Sequence, residues 1–226
     1  MKKSIQIIAI ALVILFGNLA VSQNDTMYVN YDGNVTIAIP ISQIDSLTFY
    51  RPNNAPTATD VEIGDSVYGG IVAYILQSGD VGYDANVQHG LIAALTDQSI
   101  LSFWGCHGTL ISGADGTEIG TGNQNTADIL TECSETNIAA YICDTLTLGG
   151  YNDWYLPSKE ELNKLYENIG QGNVLGLGNV GGFADEFYWT STEDDNENAW
   201  EQYFAFGNQF SIGKTSGDYV RAVRVF

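Results

Sequence analysis

The run Gly149-Gly150-Tyr151-Asn152-Asp153-Trp154-Tyr155-Leu156-Pro157-Ser158-Lys159-Glu160-Glu161-Leu162 decides how this chain is read, together with Tyr188-Trp189-Thr190-Ser191-Thr192-Glu193 further on. The first string joins a turn, an aromatic anchor and a marked helix start. Ser158 and Glu161 stand at the Ser-x-x-Glu spacing of a capping box, in which each side chain satisfies a backbone N–H of the first turn. Pro157 blocks extension of the helix backwards. Leu162, Leu165, Tyr166 and Ile169 then line one face, and Gly170 supplies a stop. The second string is an aromatic strand running into an acidic loop.

Working outward, Gly70–Leu76 and Leu91–Leu95 are apolar strand candidates separated by a turn-rich segment. Gly105–Gln124 is dense in glycine and threonine and reads as irregular. Asn125–Leu146 carries two short helices, with Ile138, Ile142 and Leu146 at the four-residue spacing of one buried face. Gly172–Gly182 is a glycine-rich loop. Three strands are expected to close the chain, Phe187–Thr192, Ala199–Ala205 and Tyr219–Phe226. Strands, helices and long loops followed by a strand meander indicate an α+β fold and not an alternating βαβ one.

Ahead of this domain, placed at residues 61–226, the chain is organised differently. Lys2 and Lys3 precede an apolar run, Ile5–Phe16, too short to span a bilayer, and Ala20-Val21-Ser22 fits the small-x-small cleavage rule. Residues 1–22 therefore read as a signal peptide, and no other segment is long and apolar enough to cross a membrane. Residues 23–50 form a small β extension, in which Asp32-Gly33 between β-rich runs signals a hairpin and Ile44–Phe49 offers a third short strand. Residues 51–60, with two prolines and few bulky apolar side chains, read as a linker.

The formal net charge is −19, from 27 acids against 8 bases. A field of that sign disfavours nucleic acid and anionic membranes as partners and favours solubility and cation binding. Of the three cysteines, Cys143 sits in a helical apolar stretch and reads as a small buried hydrophobe. Cys106 and Cys133 flank the glycine- and threonine-rich loop, where a crosslink permitted by export would restrain flexible chain, and a disulfide is expected there. Zinc lacks a ligand set, since neither Cys-x-x-Cys nor a histidine pair is present.

The candidate binding site is the loop Glu193-Asp194-Asp195-Asn196-Glu197-Asn198. Calcium takes six to eight oxygens from carboxylates and carbonyls on an adaptable backbone, and Glu193, Asp194, Asp195 and Glu197 are its candidate ligands. The same residues equally suit a solvated acidic turn between two strands. Trp154, Trp189 and Trp200 are read as core, with sugar stacking as the alternative. His89 and His107 are the only histidines; no nucleophile–base motif and no Gly-x-Ser-x-Gly elbow accompanies them, so no catalytic residues are assigned and the chain is read as a non-enzyme. Arg221 and Arg224 fall on opposite faces of a strand, and each is expected to pair with a carboxylate.

At Asp153-Trp154-Tyr155-Leu156-Pro157-Ser158-Lys159-Glu160-Glu161-Leu162, Tyr188–Glu193 and Val220-Arg221-Ala222-Val223-Arg224 the chain resembles the C-terminal domain family of Lcl-type collagen-like adhesins. Gly69–Val72, His89–Ala94 and Trp104-Gly105-Cys106 fit as well. The resemblance covers about residues 62–226. It implies a C-type lectin-like fold, similar also to that of formylglycine-generating enzymes, with short helices packed on an antiparallel sheet. It further implies an exported module, secreted, periplasmic or at the cell surface of a Gram-negative-type bacterium, that binds a surface glycan, a matrix polymer or a protein. The Glu-Pro-Asn and Trp-Asn-Asp signatures of sugar-binding C-type lectins are absent. A structural surface subunit, and an enzyme on the formylglycine-generating type of fold, are the alternative expectations.

Overall fold

A computed structural model describes residues 26–31, 34–40 and 61–226. The chain divides into two compact units, Met1–Pro56 and Thr57–Phe226. In the first, β1 (Thr26–Tyr31) and β2 (Asn34–Pro40) pair antiparallel with Tyr31 opposite Asn34, on either side of Asp32-Gly33. The leader, the turn residues themselves, the Ile44–Phe49 segment and the 51–60 linker lie outside the described residues.

The second unit is α+β. One sheet holds β3 (Ser66–Val67), β4 (Gly70–Ile75), β5 (Gly90–Ala94) and β11 (Val223–Val225) in the order β11-β5-β4-β3, all antiparallel. The other holds β6 (Ser99–Ser102), β7 (Phe187–Glu193), β8 (Asn198–Tyr203), β9 (Gln209–Gly213) and β10 (Asp218–Val220) in the order β6-β10-β7-β8-β9, with β10 parallel to β7. The helices are α1 (Gly122–Glu132), α2 (Ala139–Asp144) and α3 (Lys159–Ile169).

β4 and β5 are buried on both faces, which is why their sequences are continuous apolar runs and not alternating ones. Val72, Ile92 and Trp189 face one cluster, with Trp104, Trp154, Ile129 and Leu156. Ile71, Ala73, Ala93 and Tyr188 face the other, where Leu162, Leu165 and Ile169 of α3 meet Phe183 and Phe204. The helical face read from the sequence is thus the one that packs against strands of both sheets.

The expected closing strand Tyr219–Phe226 is two strands. β10 belongs to one sheet and β11 to the other, and the chain crosses between them at Arg221-Ala222. Arg221, fully buried, holds the crossing: its guanidinium donates to Asp97 and to the carbonyls of Ala94 and Gly181, and it lies 4.2 Å from the centre of the Phe183 ring. Arg224 pairs with Asp153, at 2.7 and 2.8 Å. The partner holds the Asp153 carboxyl below its usual range. β9 was not anticipated, because Gln209–Gly213 is short and largely exposed and carries little apolar signal.

The Gly149-Gly150 turn is real and tight. Leu148 and Tyr151 exchange backbone hydrogen bonds, and both glycines have positive φ, 64° and 86°. A Cβ on Gly149 would lie 2.3 Å from the Gly69 Cα, so only glycine allows this turn to seat against the β3–β4 corner.

Candidate functional site

The acidic loop joins β7 to β8 and lies against the irregular segment 105–121. That segment has no regular structure, so its backbone must find partners outside helix and sheet ladders, and it does so at several points along its length. Cys106 is joined to Cys133 by a disulfide, with Cα atoms 5.8 Å apart, while Cys143 is free and buried. Burial pushes the Cys143 thiol far above its usual range. Gly108 donates to the Asn196 carbonyl at 2.8 Å, and Glu193 N–H donates to the Ala114 carbonyl at 2.7 Å. The Gly116 carbonyl accepts from Asn125 and from Thr192 Oγ1, both at 2.7 Å. Ile111, Ala114 and Ile119 anchor the segment in the interior.

The capping box forms as read: Ser158 Oγ accepts from Glu161 N–H, and Glu161 Oε2 accepts from Ser158 N–H. It also extends beyond its helix. Ser158 Oγ donates to the Glu118 carbonyl at 2.8 Å, and Glu161 Oε1 accepts from Gly120 N–H at 2.9 Å and from the Tyr155 hydroxyl at 3.2 Å. Glu161 is fully buried, and burial raises its carboxyl pKa against the opposing pull of these donors. The motif therefore fastens the far end of the 105–121 segment to α3.

Glu193 departs from the expected ligand set. Its side chain turns inward, where it forms a buried ion pair with Lys214 and accepts from Ile111 N–H through both oxygens, at 2.9 and 3.0 Å. Lys214, with no exposed surface, also donates to the Thr109 carbonyl at 2.8 Å and sits 4.6 Å from the centre of the Trp104 ring. Glu193 is thus a structural anchor with no oxygen turned toward solvent for a metal. Asp194 accepts from Ser211 Oγ. Asp195 Oδ1 accepts from the backbone N–H of Glu197 and Asn198, each at 2.8 Å, which lowers its carboxyl pKa. Glu197 pairs with His107 at 2.6 Å. Asp194, Asp195, Asn196 and Glu197 are exposed, but the loop does not close three carboxylates around one point: among the described residues the one set of three potential ligands within reach of each other is Cys106, Cys133 and Glu135, and both thiols are in the disulfide.

Trp154 and Trp189 are core, as read. Trp200 is not; it is half-buried on β8, and Lys159 Nζ lies 3.2 Å from its ring centre. Alternation along β8 turns it to the opposite side from buried Ala199. The third core indole is Trp104, whose Nε1–H donates to the Thr190 carbonyl at 2.9 Å. Lys214 escaped the sequence reading altogether. Its signal was scarcity: in a chain with 8 bases, a lysine close to a strand is a candidate for a buried pair. The histidines face acceptors, His107 the Glu197 carboxylate and His89 Nδ1 the Phe226 carbonyl at 2.9 Å.

The family described as the Lcl C-terminal domain matches residues 96–224. No curated protein matches. Among solved structures, a fimbrial protein from Bacteroides ovatus ATCC 8483 is similar in fold, with a TM-score of 0.50 and 15% identity over 73% of this chain. This chain spans about half the length of that protein, 48%.

Proposed function

The chain belongs to the Lcl C-terminal domain family, and on that premise we propose that it is an exported, adhesin-type binding module of the bacterial surface with a C-type lectin-like arrangement. Its recognition face is the outer side of segment 105–121 with the loop 193–198. The observation that carries this reading is preorganisation. An irregular loop exposing His107, Gly108, Thr109 and Leu110 is held at both ends and in the middle by a disulfide, a buried ion pair and the extended capping box. Fixing a loop before it meets its partner removes the ordering cost that otherwise weakens binding, and a scaffolded loop is where binding residues concentrate. The fold likeness to a fimbrial protein supports a place at the surface. The partner is a surface glycan, a matrix polymer or a protein, and the acidic surface favours neutral or cationic ones. Calcium enters this reading through Asp194, Asp195 and Glu197, the three exposed carboxylates of the loop.

A glycan array probed with the mature chain and with the Asp194→Ala/Asp195→Ala variant, beside melting scans with and without millimolar calcium, tests the reading. Specific array binding that the variant loses supports the loop face. A calcium-dependent rise in melting temperature, lost in the same variant, places the metal there. Binding that the variant retains in full removes this face from consideration. No array binder and no calcium shift favour the second reading, a structural surface subunit. The observation behind that alternative is the β1–β2 hairpin, a two-stranded sheet of a kind that is marginal alone and well suited to adding onto a partner's sheet edge.

A further inference from the structure

The connection between β4 and β5 borders a cavity of about 240 Å³, lined by Ile75 and Leu76 at the end of β4 and by Tyr83, Asp84, Val87 and His89 of the connection itself. The connection is fixed by its own polar groups. Asp80 Oδ2 accepts from the Tyr74 hydroxyl at 2.8 Å and from Gln77 N–H at 2.6 Å. The Gln88 carboxamide exchanges two hydrogen bonds with the Val61 backbone, at 2.8 and 3.0 Å, and Leu76 N–H donates to the His89 carbonyl at 2.9 Å. A cavity held in this way is formed before a ligand arrives, which keeps the ordering cost of binding low. Its volume is below the roughly 300–1,000 Å³ of pockets that take drug-sized ligands, so it suits one small group.

The polar groups that line it without being used up by the fold are acceptors. Asp84 Oδ1 accepts from Asn86 N–H at 2.7 Å and from the Asn86 amide at 3.2 Å, and these bonds hold the carboxyl below its usual range. A carboxylate offers about four lone-pair sites, so Asp84 keeps capacity for a further donor. His89 Nδ1 stands 2.9 Å from the Phe226 carbonyl. A carbonyl only accepts, so Nδ1 carries the proton and the neutral ring presents a lone pair at Nε2. Among the described residues no protein donor meets that nitrogen. Tyr83, 43% exposed, and Val87, 52% exposed, add an aromatic ring and an apolar side chain to the lining. The donor count selects the ligand. A hydroxyl brings an acceptor with its donor, whereas an ammonium group brings three donors and no acceptor. A carboxylate and an aromatic ring side by side also favour a cation.

We propose that this cavity binds a primary ammonium group on a short apolar stem, as a lysine side chain or a free alkylamine carries it, with the cation between Asp84 and His89 Nε2 and the stem against Ile75 and Val87. The net charge of −19 draws cations toward the whole surface, and the cavity supplies the local selection. The site shares no residue with segment 105–121 or loop 193–198 and lies ahead of the family match at residues 96–224, so the two readings stand or fall separately.

The test titrates the ¹⁵N-labelled mature chain with Nα-acetyl-lysine methylamide, with butylamine, and with two neutral comparisons, Nα-acetyl-norleucine methylamide and glucose. Both amines shift the amides of residues 75, 76 and 83–89 saturably, and the neutral compounds do not. Equal affinity of the two amines makes a free amine sufficient; tighter binding of the lysine compound makes a protein side chain the occupant. Asp84→Asn keeps the acceptor for Asn86 and removes only the charge, and it weakens binding by about fivefold, the upper end for an exposed ion pair. Asp144→Asn, which removes an exposed charge elsewhere, weakens it by less than about twofold because distant surface charges are screened. His89→Asn retains an N–H for the Phe226 carbonyl, loses the Nε2 lone pair and also weakens binding. The Asp194→Ala/Asp195→Ala variant binds as the wild type does. Equal losses in Asp84→Asn and Asp144→Asn would reduce the effect to the general field of the protein and overturn the proposal. So would undiminished binding by His89→Asn, equal binding of either neutral compound, or no saturable shift at these amides.

Discussion

Replacing Lys214 by methionine is the most direct probe of what holds the segment 105–121 in place. The substitution keeps most of the side-chain volume and removes the charge. It leaves Glu193, 4% exposed, as a buried carboxylate whose remaining partner is the Ile111 N–H. It also removes the donor to the Thr109 carbonyl and the cation over Trp104. Breaking a buried pair from one side costs about 3–5 kcal/mol, because the surviving charge is uncompensated. That is a large part of the total stability of about 5–15 kcal/mol of an ordinary domain. For a chain of this size each kcal/mol moves the melting temperature by about 2–4 °C, so a fall of roughly 8–16 °C is expected for a loss near 4 kcal/mol. Removing both charges is a different matter. Glu193→Gln/Lys214→Met retains an amide oxygen for Ile111 N–H, and taking out a whole buried pair is often close to neutral. Urea denaturation of the wild type, both single variants and the double variant closes a thermodynamic cycle. The double variant is expected to be more stable than Lys214→Met alone. A loss below about 1 kcal/mol in Lys214→Met, or a double-variant loss equal to the sum of the singles, would show that the pair does not brace the loop.

Two further outcomes follow from the same structure. Glu201 and Asp218 bind a proton more tightly folded than unfolded, so their contribution to stability is full below the ordinary carboxylate values of 4.5 and 3.8. It is lost as pH rises toward about 8 for Glu201 and about 6 for Asp218. Between pH 4 and 8, as a rough working window, Glu201→Gln should flatten the decline in melting temperature; an unchanged slope would mean the pair is not protonated in the fold. Removing the disulfide with Cys106→Ser/Cys133→Ser, across a separation of 27 residues, should cost roughly 3–4 kcal/mol by loop-closure entropy. Amide exchange should quicken first between residues 105 and 121, and uniform acceleration through both sheets would assign the crosslink to global stability instead of loop order.

What the sequence made legible was what is local. The capping box, the Gly149-Gly150 turn and the α3 face each lie within a dozen or so residues, and the local conformation of each is set within that span even where its outer contacts are remote. β4 and β5 are legible too, as unbroken apolar runs, because a strand covered on both faces needs no alternation. The failures share one cause: each depends on a partner remote in sequence. Glu193 looks like any acid of a solvent loop until Lys214 arrives from 21 residues away. Glu161 reads as a cap of its own helix alone until Gly120, 41 residues away, donates to it as well. Trp200 is expected in the core and is only half-buried, because its place in the alternation along β8, not indole chemistry, decides which side of the sheet its ring takes. Tyr219–Phe226 reads as one strand because nothing local announces that Arg221 is held by Asp97 and two loop carbonyls at a change of sheet. In an acid-rich chain the few bases are therefore the residues to follow. Lys214, Arg221 and Arg224 each join segments far apart in sequence, and each marks a point where the fold is fixed by charge as well as by apolar packing.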